Sequence, residues 1–276
     1  MDRTYPPGVP CWIDLEPPDA DAAARFYGEL FGWSFEDAVP PGVPEHYLVA
    51  SLDGQPVAAI GMPGSGAWNT YVAVDDVEAV AERAIDAGGS VVDPPVDVGP
   101  AGRRATIADP DGAFLRLWRP GTRLGAQLVN APGAWVFSIL HTSDADAADA
   151  FHGRLFGWEA DVMPGVDGAM WRLPGYGDHL AETIDPDIHE RQAEVPPGFA
   201  DVAAGRAPLE TGEAARWHVT FAVADRDESV AAALALGATD RSGPIDTMWT
   251  RETVLIDPQG AAFTVSQFSP PDPDAG

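Results

Sequence analysis

Three short stretches of alternating sequence carry the side chains best suited to chemistry. In Cys11-Trp12-Ile13-Asp14-Leu15, Trp12 and Asp14 fall on one face and Cys11, Ile13 and Leu15 on the other, because successive side chains of a strand point to opposite sides. By the same parity Asn69 and Tyr71 share a face of the strand from Trp68 to Val74. Phe114, Arg116 and Trp118 share a face of the strand Ala113–Trp118. A guanidinium beside aromatic rings could grip a carboxylate or phosphate in a two-pronged contact. It could equally form an internal ion pair with Asp14, since a buried charge demands a partner in either case. Cys11, on the face opposite Trp12, reads as a buried, inert thiol.

Other chemistries are not supported. No P-loop, no dinucleotide-binding glycine fingerprint at a strand–helix junction and no Ser-centred nucleophile elbow occurs in the chain. The single cysteine rules out an internal disulfide and a Cys-rich zinc site. A formal charge of −27 argues against nucleic acid and anionic membranes as partners, since both need Lys and Arg to neutralise phosphates. The acidic surface serves solubility or draws cationic partners. The stretch from Met1 to Glu16 has no apolar core of signal-peptide type. No run of about 18 apolar residues suggests a membrane span. The expectation is a cytoplasmic protein with a core large enough for about two domains.

An internal repeat shows how the strands are deployed. Phe26-Tyr27-Gly28-Glu29-Leu30-Phe31-Gly32-Trp33 recurs, 125 residues on, as Phe151-His152-Gly153-Arg154-Leu155-Phe156-Gly157-Trp158. Such a repeat sets how many times one folding unit is used. Residues 1–10 read as a loose arm. The first strand then stops at Pro17-Pro18, and Asp19 caps a helix with the stripe Ala22, Ala23, Phe26, Tyr27, Leu30, Phe31. Hairpin strands at His46–Ala50 and Pro56–Ile60 follow, about Asp53-Gly54. The order repeats from Trp68. A capping box at Asp75 and Glu78 opens the next helix, and strands flank the turn Asp109-Pro110-Asp111-Gly112.

After a polar joint at 121–133 the pattern restarts. Trp135–Leu140 is a strand, Ser143 or Asp144 a cap, and Met170–Leu173 with His179–Ile184 a hairpin. Residues 185–213, acidic and Pro-rich, read as an insertion or cover loop with a short helix at Ile188–Glu194. Trp217–Val223 resumes the fold, a helix capped at Asp225 runs to Gly237, and strands flank Asp257-Pro258-Gln259-Gly260. A Pro-rich tail ends the chain.

Four copies of one module, paired two and two, resemble the vicinal oxygen chelate superfamily. This is the glyoxalase, bleomycin-resistance and extradiol-dioxygenase group, and the chain is most similar to its tandem two-domain actinobacterial-type members. The resemblance implies an α+β fold of four βαβββ modules in two domains, 1–122 and 123–276, whose curved mixed sheets form open cups. In the family's enzymes a divalent metal in the cup is held by a His or Glu of an early strand, a His of the second module and a Glu of the last strand. It acts as Lewis acid toward two adjacent substrate oxygens. In domain one those positions carry Trp12, Asn69 and Arg116, none a usual ligand, and a guanidinium repels a cation. In domain two they carry Phe137, His218 and Thr264, and one imidazole does not make a three-ligand site. His141, further along the face of Phe137, is a weak additional candidate, as are His179 and His189. The bland reading of His218 is a partly buried residue satisfied by a neighbouring hydrogen bond.

If that geometry holds, Trp12, Asp14, Asn69, Tyr71, Arg116 and Trp118 line cup one, and aromatic walls with a few polar groups describe a small-molecule pocket. Cup two, with Trp135, Phe137, Ile139, His218, Thr220 and Thr264, is more apolar and reads either as core or as a second pocket. The leading expectation is a metal-free binder of a small organic molecule, cationic or aromatic, as a monomer or homodimer and without cofactor. The alternatives are a divalent-metal lyase, isomerase or dioxygenase centred on His218, a metal-independent enzyme using Arg116 and Asp14, and a scaffold with filled cups.

Overall fold

A computed structural model describes residues 2–39, 46–163, 168–193 and 195–271; Glu194 and the Pro-rich tail from 272 onward lie outside them. The first module runs β1 (Pro10–Leu15), α1 (Ala20–Phe31), β2 (Ser34–Asp37), β3 (Leu48–Leu52), β4 (Gln55–Ile60). The second runs β5 (Trp68–Ala73), α2 (Val77–Asp86), β6 (Ser90–Val98), β7 (Gly102–Ala108), β8 (Phe114–Pro120). The third has β9 (Trp135–Thr142), α3 (Ala145–Phe156), β10 (Glu159–Asp161), β11 (Ala169–Arg172), α4 (Tyr176–Thr183), α5 (Ile188–Arg191), β12 (Val202–Pro208). The fourth has β13 (Arg216–Ala222), α6 (Arg226–Ala235), β14 (Thr239–Asp240), β15 (Ile245–Asp246), β16 (Thr250–Ile256), β17 (Ala262–Phe268). All four are built on the βαβββ order, the third with α4 and α5 before its last strand and the fourth with one additional two-residue strand, β15, and the fold is α+β as the repeat implies.

Helix ends follow from local chemistry. Asp19 accepts from the Ala22 amide and Asp144 from the Ala147 amide, and both helices close on a left-handed glycine, Gly32 at φ 74° and Gly157 at φ 75°. Each such cap is worth about 1 kcal/mol. The second helix is capped by Asp76, whose carboxylate accepts from Ala79, one residue later than the Asp75 box predicts.

Hydrogen bonding orders one open sheet β2-β3-β4-β1-β5-β8-β7-β6 and the other β10-β11-β12-β9-β13-β17-β16-β14, with β15 alongside β16. Within each module the first strand is parallel to the last, for instance Tyr71 beside Arg116 and Thr220 beside Thr264. The other pairings inside the modules are antiparallel. The chain divides into two compact units that interleave in sequence. Unit 1 comprises residues 1–11, 70–125 and 138–217, and unit 2 comprises 12–69, 126–137 and 218–276. The core of unit 2 joins α1 and α6 residues such as Phe26, Tyr27, Phe31 and Ala233 to Phe221 and Phe263. That of unit 1 joins α2 and α3 residues such as Val80, Ala84, Phe151 and Leu155 to Leu117 and Trp171.

Three sequence expectations are corrected. His179–Ile184 is helical in α4, not a hairpin strand; Leu180 is its buried anchor. The strand that completes the third module is β12, which lies inside the segment read as an insertion from 185. It pairs in parallel with β9, Gly205 beside Ile139. Its small residues, Ala203, Ala204 and Gly205, give almost no strand signal of their own. The arm before β1 is held rather than loose: the Gly8 amide donates to Ala73 and the Ala73 amide to Val9. The sequence reading also missed β2, β6, β10 and β14, which are short, exposed or Pro-containing edge strands.

Candidate functional site

In unit 2, Asp14 is almost wholly buried at 1% exposure. Its carboxylate accepts from the Asn69 amide at 2.9 Å and from the Tyr47 hydroxyl at 3.2 Å, and that hydroxyl accepts from Trp12 Nε1 at 2.9 Å. The chain Trp12–Tyr47–Asp14–Asn69 therefore lies along the polar face that parity assigned to β1. Tyr47 is the member that sequence reasoning missed. It sits one residue before β3, and nothing in its local sequence marks it.

In unit 1, Arg116, Tyr71 and Trp118 are all buried. Arg116 Nη1 donates to the Tyr71 hydroxyl at 2.7 Å, and its guanidinium carbon lies 5.3 Å from the Tyr71 ring centre. Trp118 meets Tyr71 edge-to-face at 6.3 Å and donates through Nε1 to the Arg123 carbonyl. A cation beside an electron-rich ring gains from the ring quadrupole. Phe114, on the same face by parity, is exposed.

The positions for cup two are also placed by their strands. Phe137, Ile139 and His141 are half-buried, alternating with buried Ser138, Leu140 and Thr142. In unit 2, His218 and Thr264 are buried, and His218 Nε2 lies 2.8 Å from Thr264 Oγ1. This is the neighbouring hydrogen bond of the bland reading. His179 stacks on Tyr176, and His189 pairs with Asp178 at 3.2 Å; both belong to α4 and α5 rather than to a sheet face. Cys11 is buried, and burial pushes its thiol well above the usual range. A separate hollow of about 250 Å³ in unit 1, lined by Pro7, Gly8, Asp75, Asp76 and Arg83, holds none of the expected site residues.

A model of the Glyoxalase/Bleomycin resistance protein/Dioxygenase superfamily matches residues 12–117, and a model of the Glyoxalase-like domain matches residues 134–266. The chain belongs to this superfamily. Within the superfamily, it is 37% identical over 274 residues to CFP32, a candidate glyoxylase of Mycobacterium tuberculosis (strain CDC 1551 / Oshkosh), covering 96% of this chain and 97% of that one. It is 34% identical over 288 residues to the anthracycline biosynthesis protein DnrV of Streptomyces peucetius, covering 96% and 94%. Among solved structures, the 2,3-dioxygenase LapB from Pseudomonas sp. KL28 superposes with a TM-score of 0.60 at 14% identity, covering 99% and 97%. The Mn(II)-bound glyoxalase from Novosphingobium aromaticivorans superposes at 0.59, also at 14%, covering 97% and 83%. At such identities the likeness is one of fold.

The superfamily's metal can be tested against the side chains. In domain one the donor set would be an indole, a carboxamide already turned to Asp14, and a guanidinium. In domain two it would be a phenyl ring, one imidazole and a hydroxyl bonded to that imidazole. Among the described residues no group of three or more His, Cys, Asp or Glu stands together as ligands do. These donors do not fit a chelated divalent ion. Among the described residues no helix is long and apolar enough to cross a membrane.

Proposed function

We propose that this superfamily member binds a small organic molecule, aromatic and cationic or carboxylate-bearing, without a catalytic metal. Each of two sheet faces supplies contacts by itself: Trp12, Asp14 and Asn69 in unit 2, and Tyr71, Arg116 and Trp118 in unit 1. The observation behind this reading is Arg116. It stands at the last-strand position of domain one, buried and aligned on Tyr71, where a metalloenzyme of the family would need an anionic ligand. Rings supply area at low entropic cost, and a buried guanidinium supplies orientation. The anthracycline-biosynthesis relatives support an aromatic ligand, and the −27 charge supports a cationic one and disfavours nucleic acid. The protein acts as a monomer or homodimer in the cytoplasm.

The test is tryptophan fluorescence titration and thermal shift with cationic polycyclic aromatics and with aromatic carboxylates. At least one class should quench fluorescence and raise Tm in the wild type, and an aromatic carboxylate should lose most of that effect in Arg116→Lys. No response to either class at millimolar concentration overturns the proposal. A second reading, a divalent-metal lyase, isomerase or dioxygenase centred on His218, draws on the buried imidazole at the family's second-module position; metal content decides between the two.

A further inference from the structure

The two copies of the repeated helix differ at one buried position, and the difference leaves three polar atoms of unit 1 without protein partners. In unit 2 a continuous hydrogen-bonded chain crosses the core. Trp68 Nε1 donates to the Tyr27 hydroxyl at 3.1 Å, and that hydroxyl donates to Asp257 Oδ2 at 3.0 Å. The other Asp257 oxygen accepts the amides of Gln259 and Ala261. Every polar atom on this path is paired.

In unit 1 the counterparts are Trp217, His152 and Asp109. The aromatic frame is reproduced closely. His152 stacks on Trp158 at 5.5 Å and 12°, as Tyr27 does on Trp33 at 5.8 Å and 20°. It meets Trp217 edge-to-face at 5.6 Å and 81°, as Tyr27 does Trp68 at 5.2 Å and 82°. Asp109 Oδ1 accepts the amides of Asp111 and Ala113, as Asp257 does in its own turn. The imidazole thus sits where the phenol ring sits, in the same orientation.

It is shorter, however, and has no exocyclic oxygen. His152 Nε2, Trp217 Nε1 and Asp109 Oδ2 are all buried with no hydrogen-bond partner. They correspond, atom for atom, to the groups that meet at or through the Tyr27 hydroxyl. Leaving such groups unsatisfied is destabilising, and buried polar atoms that the protein does not pair are commonly bridged by ordered water.

We infer that unit 1 contains a built site for one water molecule at the place of the Tyr27 hydroxyl, lined by His152 Nε2, Trp217 Nε1 and Asp109 Oδ2. The hydrogens balance. His152 Nδ1 lies 2.9 Å from the Ala148 carbonyl, an acceptor only, so Nδ1 carries the ring proton and Nε2 offers its lone pair. The indole N–H donates to the water. The water donates one hydrogen to Nε2 and the other to the Asp109 carboxylate. Burial lowers the His152 pKa to about 4, so the ring is neutral near pH 7 and fit to accept. The water then ties α3, the first strand of the fourth module and the β7–β8 turn into one network, as the phenol does in the other copy.

A crystal structure at high resolution tests this directly. One water peak within hydrogen-bonding distance of all three atoms is expected. In His152→Tyr the phenol oxygen should replace that peak, and Tm should rise by about 2–4 °C. In solution, the Trp217 indole proton, assigned by its loss in Trp217→Phe, should show a cross-peak to a long-lived water that disappears in His152→Tyr. A direct His152–Asp109 or His152–Trp217 bond with no intervening water overturns the inference. So does an indole proton with no water contact in the wild type, whether or not the variants fold.

Discussion

The indole N–H of Trp158 donates to the carbonyl oxygen of Gly8 at 2.7 Å, across 150 residues of sequence. Its repeat partner does the same: Trp33 Nε1 donates to Gly133 at 2.8 Å. The accepting glycines are 125 residues apart, like the indoles. Both have positive φ, 89° and 83°, and a Cβ would lie 2.9 Å from the Phe156 carbonyl at Gly8 and 3.1 Å from the Phe31 carbonyl at Gly133. Only glycine allows so close an approach at that backbone geometry. In each unit the residue just past a helix end therefore clasps the lead-in to a strand of another module.

Trp158→Phe and Trp33→Phe should each lower stability by about 1–3 kcal/mol, since each leaves a buried carbonyl unpaired while keeping most ring packing. Urea titrations should show a lower midpoint at unchanged slope. A loss in one variant and none in the other would contradict the equivalence of the two clasps.

Tyr47→Phe removes the hydroxyl that joins Trp12 Nε1 to Asp14 Oδ2. The expected loss is about 1–3 kcal/mol, read by the same titration. Near-wild-type stability would mean that this hydroxyl is dispensable to the face it bridges.

Protein purified without chelator should carry metal well below one equivalent, and His218→Ala should not change that content. Elemental analysis of both proteins makes the comparison. One equivalent of a divalent ion that is lost in the variant would favour the His218-centred enzyme.

Stability should fall on mild acidification through His152. Burial lowers this imidazole from 6.5 to about 4, so between those pH values the unfolded chain binds the proton and the folded chain does not. Its contribution is full above 6.5 and declines as pH drops toward 4, by up to about 1.4 kcal/mol per pH unit. His152→Tyr removes this one-proton dependence. Urea midpoints at pH 7 and pH 5 should converge more in the variant than in the wild type; equal pH dependence in both would refute the assignment.

Much of the architecture was legible because it is written locally. Asp19, Asp144 and Asp225 announce helix starts, Gly32 and Gly157 announce ends, and the Asp-Pro-x-Gly turns announce hairpins. Strand parity likewise placed Trp12 with Asp14, and Tyr71 with Arg116 and Trp118, because side-chain alternation is a property of the strand itself. Tertiary structure alone decided which modules share a core, α1 with α6 and α2 with α3, since an apolar stripe reports that it is buried but not against what. It alone recruited Tyr47 to Asp14, and it turned a one-residue difference between Tyr27 and His152 into an unequal pair of polar networks. Such bonds join residues far apart in sequence, and their partners are set by packing rather than by any neighbouring residue.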